Sequence, residues 1–101
     1  MKDSSATIGL AEGTRISLKT LIRIQRQQNF ARAHATTFAK LSPRAREVLT
    51  LIAAGRTNVT IGKQLFVSVH TIRTHRQNIR RRLGIHNVVE AVWWGECFDL
   101  V

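Results

Sequence analysis

Acidic side chains are scarce in this chain: six Asp and Glu stand against sixteen Lys and Arg, a formal net charge of +10 over 101 residues. The shortage is uneven. Residues 41–86 hold a single acid, Glu47, among nine bases, and residues 1–40 hold two acids among seven bases. Residues 87–101 reverse the pattern, with Glu90, Glu96 and Asp99 and no base at all. Nine bases beside one acid repel one another unless a polyanion neutralises them, so the basic part calls for such a partner. Cysteine is nearly absent. Cys97 alone cannot close an internal bridge, so no disulfide framework and no oxidising compartment is implied. Metal spacing is missing too, because His34, His70, His75 and His86 are scattered, and neither a metal nor a cofactor is expected. No apolar run approaches the roughly 20 residues of a membrane span, which argues against a membrane partner. The N-terminus lacks the pattern of a signal peptide, and the expected compartment is the cytoplasm. No nucleophile–base set and no phosphate-cradling glycine loop stands out, so no catalytic residue is assigned and an enzyme is not expected.

Proline is also rare, and the one present marks a boundary. Ser42-Pro43 reads as a helix start, Ser as the cap and Pro at the first helical position. Ala45, Val48, Leu49 and Ile52 then recur at helical spacing until Gly55. Thr57 caps a short second helix with Ile61 and Leu65 inward. Ser68 caps a third that runs to Leu83 and stops at Gly84. A fourth begins near Asn87, with Val88, Ala91 and Val92 on one face. Upstream, residues 1–13 read as a flexible tail and Ser17–Ala39 as one further helix with Leu18, Leu21 and Ile22 on one side. Phe30 and Phe38 fall out of register with that stripe. No stretch sustains a period of two, so strands are not expected. The reading is all-α: a compact four-helix helix-turn-helix domain over residues 41–101, preceded by a tail and linker helix over residues 1–40.

The third helix carries the most information. At about 100° per residue, Ile72, Ile79 and Leu83 cluster on one side, flanked by Val69 and His75. His70, Arg73, Thr74, Gln77 and Arg81 fall opposite, without a carboxylate. A merely solvated face usually mixes signs. This one suits the major groove of double-stranded DNA: Arg can bridge two acceptors on guanine, Gln can pair with adenine, and the Thr methyl can meet thymine. These five residues are the candidate base contacts. Asn58, Lys63, Thr71, Arg76 and Arg80 flank the stripe as candidate phosphate contacts, beside the free amides at the start of the helix. His75 could join them or be a buried histidine bonded to backbone.

The run Leu41-Ser42-Pro43-Arg44, Arg46-Glu47-Val48-Leu49, Leu51-Ile52-Ala53, Gly55, Thr57-Asn58, Ile61, Leu65, Ser68, Thr71-Ile72-Arg73-Thr74-His75, Ile79, Arg82-Leu83-Gly84-Ile85 resembles the LuxR-type (GerE-like) DNA-binding domain of bacterial transcriptional regulators. The resemblance covers about residues 41–95. It implies a sequence-specific regulator whose third helix enters the groove, with the positions of Arg73, Thr74 and Gln77 on base edges and those of Asn58, Thr71 and His75 near the backbone. It also implies a homodimer paired through Asn87, Val88, Ala91 and Val92, with RNA polymerase as a further candidate partner. Ala45, Val59-Thr60 and Gly62 depart from the family pattern, which often has an acid, Lys or Gln followed by Glu, and Ala. Most members carry a sensing or receiver domain ahead of this one; with 40 residues ahead, the chain is either a stand-alone regulator or a fragment. Two alternatives remain: a sigma-factor-like helix-turn-helix working with polymerase, and a protein-interaction module. One of the two tryptophans is expected to close the core and the other to lie exposed; Trp93 is read this way rather than as part of a dimer interface, Trp94 is open between the two readings, and Cys97 is expected to be inert.

Overall fold

The computed structural model describes residues 7–11 and 14–101, with side chains from residue 16 onward. Five helices follow a short antiparallel strand pair: β1 (Thr7–Ala11), β2 (Thr14–Ser17), α1 (Leu18–Ala39), α2 (Pro43–Ala53), α3 (Asn58–Leu65), α4 (Val69–Leu83) and α5 (Val88–Cys97). The fold is all-α apart from that pair. The strands are a departure from the sequence reading. Ile8 and Leu10 precede, and Ile16 and Leu18 follow, a two-residue link ending in Gly13. That is a short hairpin signal with too few alternations to register as a periodic stretch. The tail expected over residues 1–13 lies partly outside the described residues.

Each helix begins on a side chain that accepts the amide three residues on: Ser17 from Thr20, Ser42 from Ala45, Thr57 from Thr60, Ser68 from Thr71 and Asn87 from Glu90, at 2.9–3.2 Å. At the start of α5 the Glu90 carboxylate also accepts from the His86 amide, one residue ahead of the cap. These caps place the five starts where the sequence reading had them. Two of the five helices stop on a left-handed residue. α4 ends on Gly84 in the left-handed region (φ 68°), the usual glycine terminus. α3 ends on Phe66, also left-handed (φ 60°), where a side chain is strained.

Val48, Leu49, Ile61, Ile72 and Ile79 are the most deeply buried side chains and tie α2, α3 and α4 together. α5 lies against α2 through small residues: Ala91 is fully buried, and a Cβ on Gly95 would stand 3.3 Å from the Ala53 Cβ. α1 joins this core only through its second half. Phe38 stacks on Phe98 at 4.1 Å between ring centroids, and Phe30 meets Trp93 and Trp94 edge-on at 5.6 and 5.0 Å. The Arg46 guanidinium lies 4.8 Å over the Phe38 ring and donates to the Ala39 carbonyl at 3.3 Å, fixing the α1–α2 corner. Residue 40, the expected domain boundary, falls in that corner, while Phe38 on its upstream side belongs to the core.

The two tryptophans divide, one into the core and one toward solvent. Trp94, at 5% exposure, closes the core, and Trp93 is the half-exposed one. The crossing of α1 over α5 sets this rotation, and the periodicity of α5 alone does not report it.

Candidate nucleic-acid interface

Two helices and a tight turn build the site. α3 leads through Phe66, Val67 and Ser68 into α4, and the Val67 amide donates back to the Gly62 carbonyl at 2.9 Å. The turn folds so closely on α3 that a Cβ at Gly62 would stand 2.8 Å from the Val67 carbonyl oxygen. Gly62, which stands where the family pattern often has Ala, is therefore the residue that admits this turn. Ile72, Ile79 and Leu83 are buried, and this fixes the rotation of α4 about its axis. His70, Arg73, Thr74, Gln77 and Arg81 are consequently all exposed.

That face is polar, basic and unsatisfied. Its one internal hydrogen bond is from the Thr74 hydroxyl to the His70 carbonyl at 3.2 Å, which leaves the Thr74 methyl and an oxygen lone pair for a ligand. The ion pair of the described residues, Arg44 with Glu47 at 3.4 Å, lies on α2, so no carboxylate neutralises Arg73 or Arg81. At the head of α4, the Ser68 hydroxyl accepts from the Thr71 amide and shares a hydrogen bond with the Thr71 hydroxyl. The amides of Val69 and His70 have no backbone partner, and the helix dipole favours an anion there.

The flanking residues divide. Lys63 is exposed on α3. Asn58 is half-buried at the start of α3, and its Oδ1 has no hydrogen-bond partner. Thr71 and His75 are half-buried on the edges of the α4 face. Arg76 and Arg80 stand on the flank toward α5 and line a cavity of about 150 Å³ with Ile52, Ile85, His86 and Asn87. Burial first, and the neighbouring Arg80 charge second, lower the Arg76 guanidinium below the ordinary arginine value. An anion reaching this flank would relieve that repulsion.

The α5 face expected for pairing is only partly presented. Ala91 is spent inside the protomer against α2, and the Asn87 side chain serves as the α5 cap. Val88 is exposed and Val92 half-buried. Val89, which periodicity did not single out, is the most open apolar residue of α5 at 77%. A second feature went unread: Phe66 is 94% exposed beside Val59 at the foot of the turn. Its signal was faint, a bulky residue where a helix terminus favours Gly or Asn. Among the described residues no group of three or more His, Cys, Asp or Glu could hold a metal ion, and no helix is long and apolar enough to cross a membrane.

Comparison with known proteins agrees with this geometry. The family model described as bacterial regulatory proteins, luxR family, matches residues 39–94. The transcriptional regulatory protein LiaR of Bacillus subtilis is 33% identical over 88 residues, which cover 87% of this chain and 40% of that protein. The CsgBAC operon transcriptional regulatory protein of Escherichia coli is 33% identical over 63 residues, 62% of this chain and 29% of the relative. The transcriptional regulatory protein MctR of Rhizobium johnstonii is 47% identical over 45 residues, 45% of this chain and 21% of the relative. The chain thus spans well under half the length of these curated relatives.

Proposed function

The chain belongs to the luxR family of bacterial regulatory proteins, and from that membership we propose that it binds duplex DNA sequence-specifically, as a homodimer, with α4 in the major groove. The family is one of transcription regulators rather than enzymes. One observation carries the finer reading: α4 presents an exposed polar face without an acid, opposite a fully buried apolar one. Arg73, Thr74 and Gln77 meet base edges at its centre, and His70 and Arg81 meet them at its ends. Asn58, Lys63, Thr71, His75, Arg76 and Arg80 hold the backbone on either side. Residues 41–101 form the DNA-binding unit. Pairing runs through the outer side of α5, around the exposed Val88 and the half-buried Val92, and puts two α4 helices on a two-fold site. The working place is the bacterial cytoplasm, with RNA polymerase as the second partner once the operator is bound.

Selection of bound duplexes from a random pool tests this reading. The expected product is a two-fold symmetric site. Arg73→Ala should then weaken binding to it by about 1–3 kcal/mol and relax preference at one position per half-site. Lys63→Ala should weaken all sequences alike. Equal binding of selected and random DNA at 150 mM salt would overturn the proposal.

A further inference from the structure

The first half of α1 leaves most of its side chains uncovered, with Thr20 and Leu21 half-buried. Its hydrogen bond to α5 is made by Gln27, whose amide donates to Glu96 at 3.4 Å, and the aromatic contacts lie further on, at Phe30, His34 and Phe38. Upstream of that point Leu18, Ile22 and Ile24 are exposed, Ile22 at 46%. A helical segment that covers little gains little from propensity alone, and exposed apolar side chains along it call for a cover. Lys19, Arg23, Arg26 and Phe30 follow one another at steps of four, three and four residues, so they share one line along α1. The line that packs on α5 within the protomer therefore continues outward as a basic stripe. Together with Ile22 and Trp93 it walls a groove of about 520 Å³ that opens where the intramolecular contact stops.

We propose that this groove receives α5 of a second copy of the chain, so that each α1 clasps the partner protomer. The assignment rests on the homodimer reading above and deepens it. Charge selects the occupant. α1 carries no acid, so two α1 helices would repel. Among the described residues the acids are Glu47, already paired with Arg44, and Glu90, Glu96 and Asp99 of the C-terminal segment. Among the described residues that segment offers carboxylates beside an open apolar residue, Val89 at 77% exposure. DNA would satisfy Lys19, Arg23 and Arg26 but would leave Ile22 and Trp93 uncovered. The contact is also two-fold by construction: α1 of one copy on α5 of the other, and the reverse, which closes a dimer.

Sedimentation equilibrium of the whole chain, with and without a selected duplex, tests the clasp on Ile22→Asp, Arg23→Glu and Val89→Asp variants. Ile22 and Arg23 are exposed, so these changes leave the protomer fold intact, and circular dichroism verifies it. The expected result is a dimer for the unmodified chain and dissociation strengthened about ten-fold or more by Ile22→Asp and by Arg23→Glu. Raised salt should weaken the unmodified dimer but change the Arg23→Glu dimer less. If Val89→Asp dissociates the dimer while both α1 variants leave it unchanged, the clasp is wrong and the homodimer stands. Loss of DNA affinity without loss of dimerisation in Arg23→Glu would assign the stripe to DNA and overturn the clasp. A chain that stays monomeric even on its selected duplex would overturn both readings.

Discussion

Single residues of this chain hold opposed preferences, and the sign of a substitution depends on which one the structure enforces. Phe66 sits at φ 60° with its ring 94% exposed, so it carries left-handed strain without packing in return. Phe66→Gly should stabilise the fold by about 0.5–1 kcal/mol, a rise of several degrees in Tm for a domain of this size. A fall in Tm would mean that the ring is packed in solution. Gly62 runs the other way. Helix propensity favours Ala there by roughly 1 kcal/mol, but the added methyl meets the Val67 backbone oxygen. Gly62→Ala should lower Tm, and a rise would show that the turn is wider than described. Cys97 illustrates a third balance. Burial first, and the Glu96 charge second, push its thiol above the ordinary value. The folded chain then holds the thiol proton more tightly than the unfolded chain does. Stability from this source is full below the unfolded thiol pKa of about 8.5 and declines as pH rises through it toward the folded value. Iodoacetamide labelling across pH should accordingly show a higher midpoint in native protein than in urea; equal midpoints would count against the assigned environment.

At the scale of the element, what the sequence could announce was what a helix carries in itself. Ser42, Thr57, Ser68 and Asn87 mark their helix starts because a cap needs only its own next three residues. The polar face of α4 was legible for the same reason: Ile72 and Ile79 fix its rotation wherever the core lies. Ser68→Ala should therefore cost about 1 kcal/mol of stability and weaken DNA binding further, since it loosens the first turn, which carries His70 and leads into Arg73; urea melts beside gel shifts would separate the two effects. Relations between elements were not legible. Ala91 looked like a pairing residue until α2 was found against it, because a small side chain fits a close helix crossing and a dimer seam equally well. Trp93 and Trp94 differ by one position, and only the angle at which α1 crosses α5 decides which is covered. The β1–β2 pair escaped because two strands of four and five residues offer too few alternations to count.

For the molecule as a whole, charge and packing are segregated along the chain. The basic excess ends at α5, and the aromatic stack that carries α1 begins there. On the proposed function the basic side sets affinity: if about six phosphates are neutralised, binding should fall about 10³-fold between 50 and 200 mM salt, and a shallow slope in a titration would show that fewer Lys and Arg engage. The aromatic side governs stability, and the two can be separated by truncation. Phe38 is a core residue, and its stack with Phe98 and Trp94 is the roof over α5. Removing residues 1–26 spares this stack and should leave the thermal midpoint within a few degrees. Removing residues 1–39 takes Phe30 and Phe38 and uncovers Trp94 and Phe98, a loss of the order of 3–5 kcal/mol for a buried aromatic. At roughly 4–8 °C per kcal/mol for a small domain, the midpoint should drop by 10 °C or more. The family match begins at residue 39, one position past Phe38. If the shorter truncation proved as unstable as the longer one, the support would lie in the first half of α1 and not in the stack. If both melted with the whole chain, α1 would add nothing to the stability of the DNA-binding unit.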